Sequence, residues 1–312
     1  MILTVTPDPV LDKILFIEEW TPGVPMQALG TTASVGGKGL DASIALRHLE
    51  QETVGMAFLA GRTGKELALM IEARGISLEA VWTGGETRTA HVITEIKPKR
   101  HSHLFSGQLE VDEGQCRLFF QRLSNRLLET AWVICGGIIP ACLPANFYYR
   151  VIKEAGACDV PVLVDSFRDF ILEAIPARPA VVKMNWQEFE WTFAEKAQGL
   201  EELLARGKKV YQEAALQALV ITCGPEGILA FTPQGIFHAM PPRLDAVNAA
   251  GAGDAASAAI AWRRSVGDGW AATLHWAAAV SAAVVLTAGT ADCRMEDIQR
   301  IYPQVEVKHI SP

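Results

Sequence analysis

The stretch Asn248-Ala249-Ala250-Gly251-Ala252-Gly253-Asp254 sets two glycines and three alanines in front of a carboxylate. The small-residue, helix-forming run Ala255–Trp262 follows at once. The spacing predicts a helix whose first turn holds Gly251, Ala252 and Gly253, where free N–H groups and the positive end of the helix dipole make a seat for an anion. Asp254 falls within one turn of that seat. A carboxylate beside a seat for negative charge suits phosphoryl transfer: the N–H groups hold charge on the travelling phosphoryl, and the acid accepts the hydroxyl proton. The same helix end should favour ionised Asp254 and lower its pKa.

Two other readings fit the loop. Gly251-x-Gly253-x-x-Ala256 matches a dinucleotide fingerprint, but that motif needs an apolar strand in front of it. Arg243-Leu244-Asp245-Ala246-Val247 is too polar for one. An ordinary helix start also uses Gly and Asp. A second glycine cluster, Gly36-Gly37-Lys38-Gly39, is no Walker A loop, because a glycine and not Ser or Thr follows the lysine. Its glycines instead point to close approach of backbone to a ligand. Asn185 and Glu188 stand three apart at a helix start and share a face. They can reach a hydrated Mg²⁺, which keeps several waters and needs few protein oxygens. The same spacing fits a capping box. Arg88, in Thr87-Arg88-Thr89, offers a planar guanidinium that suits a phosphate, or a solvated strand face.

Three pieces together resemble the ribokinase/PfkB carbohydrate-kinase family: Gly36-Gly37-Lys38-Gly39, Lys183-Met184-Asn185-Trp186-Gln187-Glu188 (similar to Lys-Pro-Asn-x-x-Glu) and Gly251-Ala252-Gly253-Asp254. They occur in family order, and the resemblance spans nearly the whole chain. It implies a single ribokinase-like domain over residues 1–312, with ATP and Mg²⁺ as cofactors. It implies Asp254 as the base and Gly251, Ala252 and Gly253 as the anion hole. Asp12 would accept hydrogen bonds from sugar hydroxyls, with Gly36, Gly37 and Asp41 nearby; Lys38, Arg88 and Gly137 would cradle a substrate phosphate. Lys183, Asn185, Thr222, Gly224 and Gly227 would meet the nucleotide, and Asn185 and Glu188 the metal. Thr6-Pro7-x-Pro9, Arg88 and Asp165-Ser166 lean toward the 1-phosphofructokinase/tagatose-6-phosphate kinase branch. The implied activity is transfer of the γ-phosphoryl of ATP to a hydroxyl of a sugar phosphate, of the fructose 1-phosphate or tagatose 6-phosphate type. A kinase of an unphosphorylated sugar or a nucleoside, and a non-catalytic binder on the same fold, are the alternatives. Asp8 and Asp41 depart from the Asn usual in that branch, and Ala249 from Thr or Ser. Asp41 adds negative charge near the substrate and only accepts hydrogen bonds.

The elements that must position these residues follow from the pattern of the rest. The chain has 312 residues, half of them apolar, and a net charge of −7, which argues against a general nucleic-acid or anionic-membrane surface. Six scattered cysteines without a C-x-x-C pair fit free thiols in a reducing cytoplasm. Met1–Thr6 lacks a basic leader region and reads as a strand. The run Trp270–Ala288 invites the question of a membrane span, but its alanines, His275, Ser281 and Thr287 favour a buried helix. Strands at 2–6, 53–59, 131–135, 161–165, 180–183 and 219–222 alternate with helices at 40–49, 64–74, 112–128 and 144–157. This predicts an α/β fold with a mostly parallel sheet and helices on both faces. Strands at 78–82, 87–96 and 101–105 with no long helix between them predict a small antiparallel β layer, which together with strands at 13–20 and 28–35 would form a lid, from about 13–35 and 76–106. Lys97, Lys99, Arg100, His101 and His103 read as its solvated edge. Trp20, Trp82 and Phe105 would need cover, and a homodimer through the lid is the expected arrangement. Sugar or sugar phosphate is the expected partner, with no nucleic acid and no membrane.

Overall fold

The computed structural model describes residues 1–98 and 100–310, so Lys99 lies outside the described residues. In chain order, β1 (Ile2–Thr6), β2 (Val10–Ile17) and β3 (Gly30–Gly36) lead into α1 (Lys38–His48). Then follow β4 (Thr53–Leu59), α2 (Gly61–Ala73) and β5 (Ser77–Trp82). Four strands come next without a helix: β6 (Gly84–Gly85), β7 (Arg88–Glu95), β8 (Arg100–Ser106) and β9 (Leu109–Glu110). Alternation returns with α3 (Glu113–Leu127), β10 (Trp132–Gly136), α4 (Phe147–Gly156), β11 (Val162–Asp165) and the one-turn α5 (Asp169–Leu172). The remainder is β12 (Val181–Asn185), α6 (Trp186–Phe193), α7 (Leu200–Glu213), β13 (Leu219–Thr222), β14 (Ile228–Thr232) and β15 (Gly235–Met240). It closes with α8 (Ala252–Ser265), α9 (Trp270–Val284), α10 (Met295–Ile301) and β16 (Glu306–Ile310).

The continuous apolar runs form the centre of the main sheet, whose order is β16-β15-β14-β13-β12-β11-β10-β1-β4-β5. From β5 to β13 all neighbours are parallel; β14, β15 and β16 extend the sheet antiparallel. β1, β4, β10 and β11 are buried along their whole length, as parallel strands covered on both faces must be. One face packs the aromatics Phe119, Phe120, Phe147 and Tyr148 of α3 and α4, together with Leu203 and Val210 of α7. The other packs alanines of α1, α8 and α9, which let those helices lie close to the sheet. The Trp270 run is therefore a core helix, and among the described residues no helix is long and apolar enough to cross a membrane.

The lid is the four-stranded sheet β3-β2-β7-β8. It differs from expectation in two ways. β2 and β7 pair in parallel, so the lid is mixed and not antiparallel throughout. Ser77–Trp82 is not part of it: α2 returns the chain so that β5 pairs in parallel with β4, as a β-α-β crossover requires. The basic edge is solvated as expected. All seven residues of β8 are exposed, Lys97 pairs with Glu18 at 2.8 Å, and Arg100 pairs with Glu95.

Candidate active site

Asp254 stands in the first turn of α8, where the sequence places it. Gly251 caps the helix at φ +80, a left-handed conformation that favours glycine, and a Cβ there would collide with the backbone of Ala291. The N–H of Ala252 turns back to the Ala249 carbonyl at 3.2 Å, which narrows the expected anion seat to the groups that follow. Gly251, Ala252, Gly253 and Asp254 line a cleft of about 860 Å³, with Lys38, Lys183, Asn185, Thr222, Gly224 and Gly227 on its other walls. Gly224 has open space around it, whereas Gly227, at φ +91, is required by close approach to Ala239 in the β14–β15 hairpin.

The pKa of Asp254 corrects the helix-dipole argument. Burial pushes it up to about 7, the negative charge of Asp165 adds to the shift, and Lys183 and Lys38 oppose it. Desolvation and a neighbouring carboxylate outweigh the helix end. A base that titrates near neutrality is well matched to accepting a proton from a hydroxyl.

Asp165, at the C-terminal end of β11, organises the charges behind Asp254. Its Oδ1 accepts from Lys38 Nζ (2.8 Å), and its Oδ2 from Lys183 Nζ (2.6 Å) and Ser257 Oγ (2.8 Å). Burial alone would raise its pKa, but the two lysines reverse the sign and hold it below the ordinary value. Lys38 also donates to Glu188 Oε1 at 2.6 Å. Burial disfavours its charge, and Asp165 and Glu188 more than restore it, so its pKa is raised. Lys38 thus enters the cleft already paired, and Lys183, only 2% exposed, is held by Asp165 behind Gly253.

Asn185 and Glu188 form the capping box of α6. Asn185 Oδ1 accepts from Glu188 N–H (2.8 Å), and Glu188 Oε2 accepts from Asn185 N–H (2.9 Å). The structural use of this spacing is therefore present. It leaves room for the metal use: each carboxylate oxygen has two lone pairs, and Mg²⁺ is a hard ion that binds oxygen through its own waters. Asn185 lines the cleft, and Glu188, buried and paired with Lys38, stands behind it; their side-chain oxygens would suit such an ion reached through its own waters. Among the described residues no cluster of three His, Cys, Asp or Glu is arranged to hold a metal alone.

The residues expected to hold the acceptor lie in and beside the lid, Asp12, Gly36 and Arg88 in its strands and Asp41 in α1. Asp41 is buried in α1, and its pKa is pushed well above the usual carboxylate range by burial and by the charges of Asp254 and Asp12. Asp12, on β2, fits against Gly36: a Cβ at Gly36 would lie 2.7 Å from Asp12 Oδ2. Burial pushes Asp12 up to about 6 against the pull of Arg88. Gly37, at φ +118, precedes α1, and Gly137, at φ +94, follows β10 close to Lys38. Arg88 opens β7, with Nε 3.2 Å from Asp8 Oδ2 and Phe105 over its guanidinium at 5.1 Å. Gly137, Asn185, Thr222 and Gly224 thus fall at the C-terminal ends of main-sheet strands, whereas Asp12, Gly36 and Arg88 come from strands of the lid sheet and Asp41 from α1. The residues missed as partners are Asp165, Ser257 and Asp8. Asp165 carried a signal, an acid ending the wholly apolar run Val162-Leu163-Val164; nothing local marks Ser257.

A parallel sheet with helices on both faces, a β lid and a Gly-x-Gly-Asp helix start define a ribokinase-like fold. Arabidopsis thaliana ribokinase complexed with ribose and ATP matches over 96% of this chain and 98% of its own at a TM-score of 0.78 and 17% identity. Phosphofructokinase-2 of Escherichia coli in complex with fructose-6-phosphate matches over 97% and 98% at 0.85 and 18%. Residues 9–298 match the pfkB family carbohydrate kinase, and the chain belongs to that family. In sequence it is similar to the 1-phosphofructokinase of Borreliella burgdorferi, 24% identical over 311 residues and 99% of each chain. The 1-phosphofructokinase of Xanthomonas campestris is 28% identical over 316 residues, 97% of this chain and 94% of its own.

Proposed function

We propose that this chain transfers the γ-phosphoryl of ATP, with Mg²⁺, to a hydroxyl of a sugar phosphate of the fructose 1-phosphate or tagatose 6-phosphate type, and does so in the cytoplasm. The observation that carries the reading is Asp254: a carboxylate poised near pH 7, at a helix N-terminus, on the wall of a cleft of about 860 Å³ and within reach of the buried acid Asp41. Asp12 and Asp41 would accept hydrogen bonds from acceptor hydroxyls and hold the reacting one toward Asp254, which takes its proton. Backbone N–H groups at the start of α8, with Lys38, would stabilise negative charge on the phosphoryl in flight. Mg²⁺, when bound near Asn185 and Glu188, supplies charge neutralisation on the nucleotide phosphates. Arg88 suits the substrate's own phosphate, and the 1-phosphofructokinase relatives support that acceptor class. Six cysteines, all free, support a reducing compartment. Exposed Leu29, Leu104 and Phe105 on the lid support a second copy as its cover; a monomer by light scattering, with and without substrate, would remove that part.

The test is ADP release over a panel of hexoses, hexose phosphates and nucleosides with ATP and Mg²⁺. Turnover should be best on a ketohexose phosphate, and Asp254→Asn should lower kcat by roughly 10²- to 10⁴-fold with the fold intact by circular dichroism. Turnover only on an unphosphorylated acceptor would move the substrate class. Binding without any ADP release would make the protein a regulator on a kinase fold.

A further inference from the structure

Arg88 is the cation that a sugar phosphate would meet at the acceptor end, and it is already engaged. Its Nε lies 3.2 Å from Asp8 Oδ2, an ionic contact without hydrogen-bond alignment, so among the described residues that N–H has no hydrogen-bond acceptor. Asp8 is 5% exposed, and its Oδ1 has no hydrogen-bond partner among the described residues. Prolines on either side, Pro7 and Pro9, restrict the backbone that carries it. The charge acting on Asp8 is that of Arg88 from β7, which acts on Asp12 of β2 as well; the charge of Asp8 reaches the Tyr148 hydroxyl of α4, which donates to the Gly137 carbonyl at 3.0 Å. Asp41 lies beyond Asp12.

We propose that Asp8 is an internal counter-ion that competes with the acceptor's phosphate for Arg88, and so determines both the affinity for phosphorylated acceptors and its dependence on pH. The inference rests on the kinase reading above and deepens it. While Asp8 is ionised, a phosphate dianion meets one guanidinium and two carboxylates, those of Asp8 and Asp12. When Asp8 takes a proton from solvent, Arg88 is released to the phosphate. The new O–H of Asp8 then becomes a donor to a phosphate oxygen instead of a repelling charge. Burial places this change in an accessible range, since desolvation pushes Asp8 up to about 6 against the opposing charge of Arg88. A group titrating near pH 6 is protonated about 1% of the time at pH 8 and about three-quarters of the time at pH 5.5. If only that form binds, the apparent affinity differs by about seventy-five-fold.

The experiment is calorimetric titration of wild type and Asp8→Asn with fructose 1-phosphate, tagatose 6-phosphate and fructose, at about pH 5.5 and about pH 8, in buffers of different ionisation enthalpy. Wild type should bind the phosphates at least roughly tenfold tighter at the lower pH, with proton uptake beyond that of the phosphate itself. Asp8→Asn should bind them tighter than wild type at the higher pH, with a shallower pH dependence that comes from Asp12 and the phosphate's own ionisation, and should leave fructose binding unchanged. An Asp8→Asn protein no tighter than wild type at the higher pH, or with the wild-type pH dependence, overturns the proposal. So does wild type that takes up no extra proton, a measurement that stands even if the variant fails to fold. ADP release separates the two readings. Normal turnover with a flat affinity profile removes the counter-ion and keeps the kinase. The expected profile without turnover on any acceptor keeps the counter-ion and removes the kinase.

Discussion

Two buried ionic clusters flank Asp254, and they are built on opposite terms. In the first, Asp165 has a cation or hydroxyl for each lobe: Lys38 at 2.8 Å, Lys183 at 2.6 Å and Ser257 at 2.8 Å. In the second, Asp8 and Asp12 share the Arg88 guanidinium, Asp41 feels the charge of Arg74 instead, and Asp8 Oδ1 and Asp41 Oδ1 have no partner among the described residues. Both clusters are desolvated. The sign of the pKa shift nevertheless differs, down for Asp165 and up for the three acceptor acids. Burial sets the size of the stakes, and the count of cations sets the direction. The first cluster is complete within the protein. The second leaves acceptor oxygens unpartnered, and under the function proposed above a polyhydroxylated acceptor would donate to them.

The largest effect should come from breaking the complete cluster. Lys183→Met removes a cation that is 2% exposed and leaves Asp165 short of a partner. Truncating one member of such a pair typically costs about 3–5 kcal/mol. Urea unfolding of the ligand-free protein should show a loss of that order. The same measurement on Asp41→Asn should show no loss or a gain, because it removes an uncompensated charge. Equal losses in the two variants would erase the distinction between the clusters.

A second effect should appear in the pH dependence of stability. For a carboxylate whose folded pKa is raised, the native state binds more protons than the unfolded state, so stability falls as pH rises between the two pKa values. The window runs from the ordinary value of 3.8 to about 6 for Asp8 and Asp12, and to about 7 for Asp254. Asp165, shifted the other way, stays ionised throughout it. Ligand-free protein should therefore be more stable near pH 5 than near pH 7.5, by up to about 5 kcal/mol if the three groups titrate independently. A thermal-unfolding profile that rises across this range would mean that the acceptor acids are paired in solution.

The layout of the sheet was legible because parallel strands announce themselves: Thr53–Leu59 and Leu219–Thr222 are apolar runs with the observed boundaries. Gly251 and Asp254 were legible for a similar reason, since a helix start needs few neighbours to explain it. Ser77–Trp82 was assigned to the wrong sheet because half-buried alternation tells that a strand is an edge, not which sheet it edges. The helix Leu200–Glu213 and the strand Gly235–Met240 went unanticipated. Local rules also failed where distant residues decide. Lys38 meets partners 127 and 150 positions away, and the helix end that should lower the pKa of Asp254 is outweighed by burial and by Asp165. The Asp8–Arg88 pair joins a turn to a lid strand, a closeness no spacing rule encodes.

The smallest expected effect concerns the lid side of the acceptor cluster. Phe105 lies over the Arg88 guanidinium at 5.1 Å and beside His103 at 6.3 Å, and its side of β8 is exposed. An exposed ring contributes little to the core, so Phe105→Ala should change unfolding stability by no more than about 0.5 kcal/mol. It does steady Arg88, and a cation–π contact at a partly exposed site is worth about 0.5–1 kcal/mol. That corresponds to a roughly two- to fivefold rise in KM for a phosphorylated acceptor. KM for ATP should stay unchanged, because none of the residues lining the nucleotide cleft belongs to the lid sheet. Phe105→Tyr, which keeps a π face, should restore the acceptor KM, whereas Phe105→Leu, which keeps only bulk, should not. Steady-state kinetics on both substrates separates these outcomes. A KM for ATP that moves in parallel would show that the lid acts on both halves of the site, and a large loss of stability would make β8 part of the core rather than a cover over it.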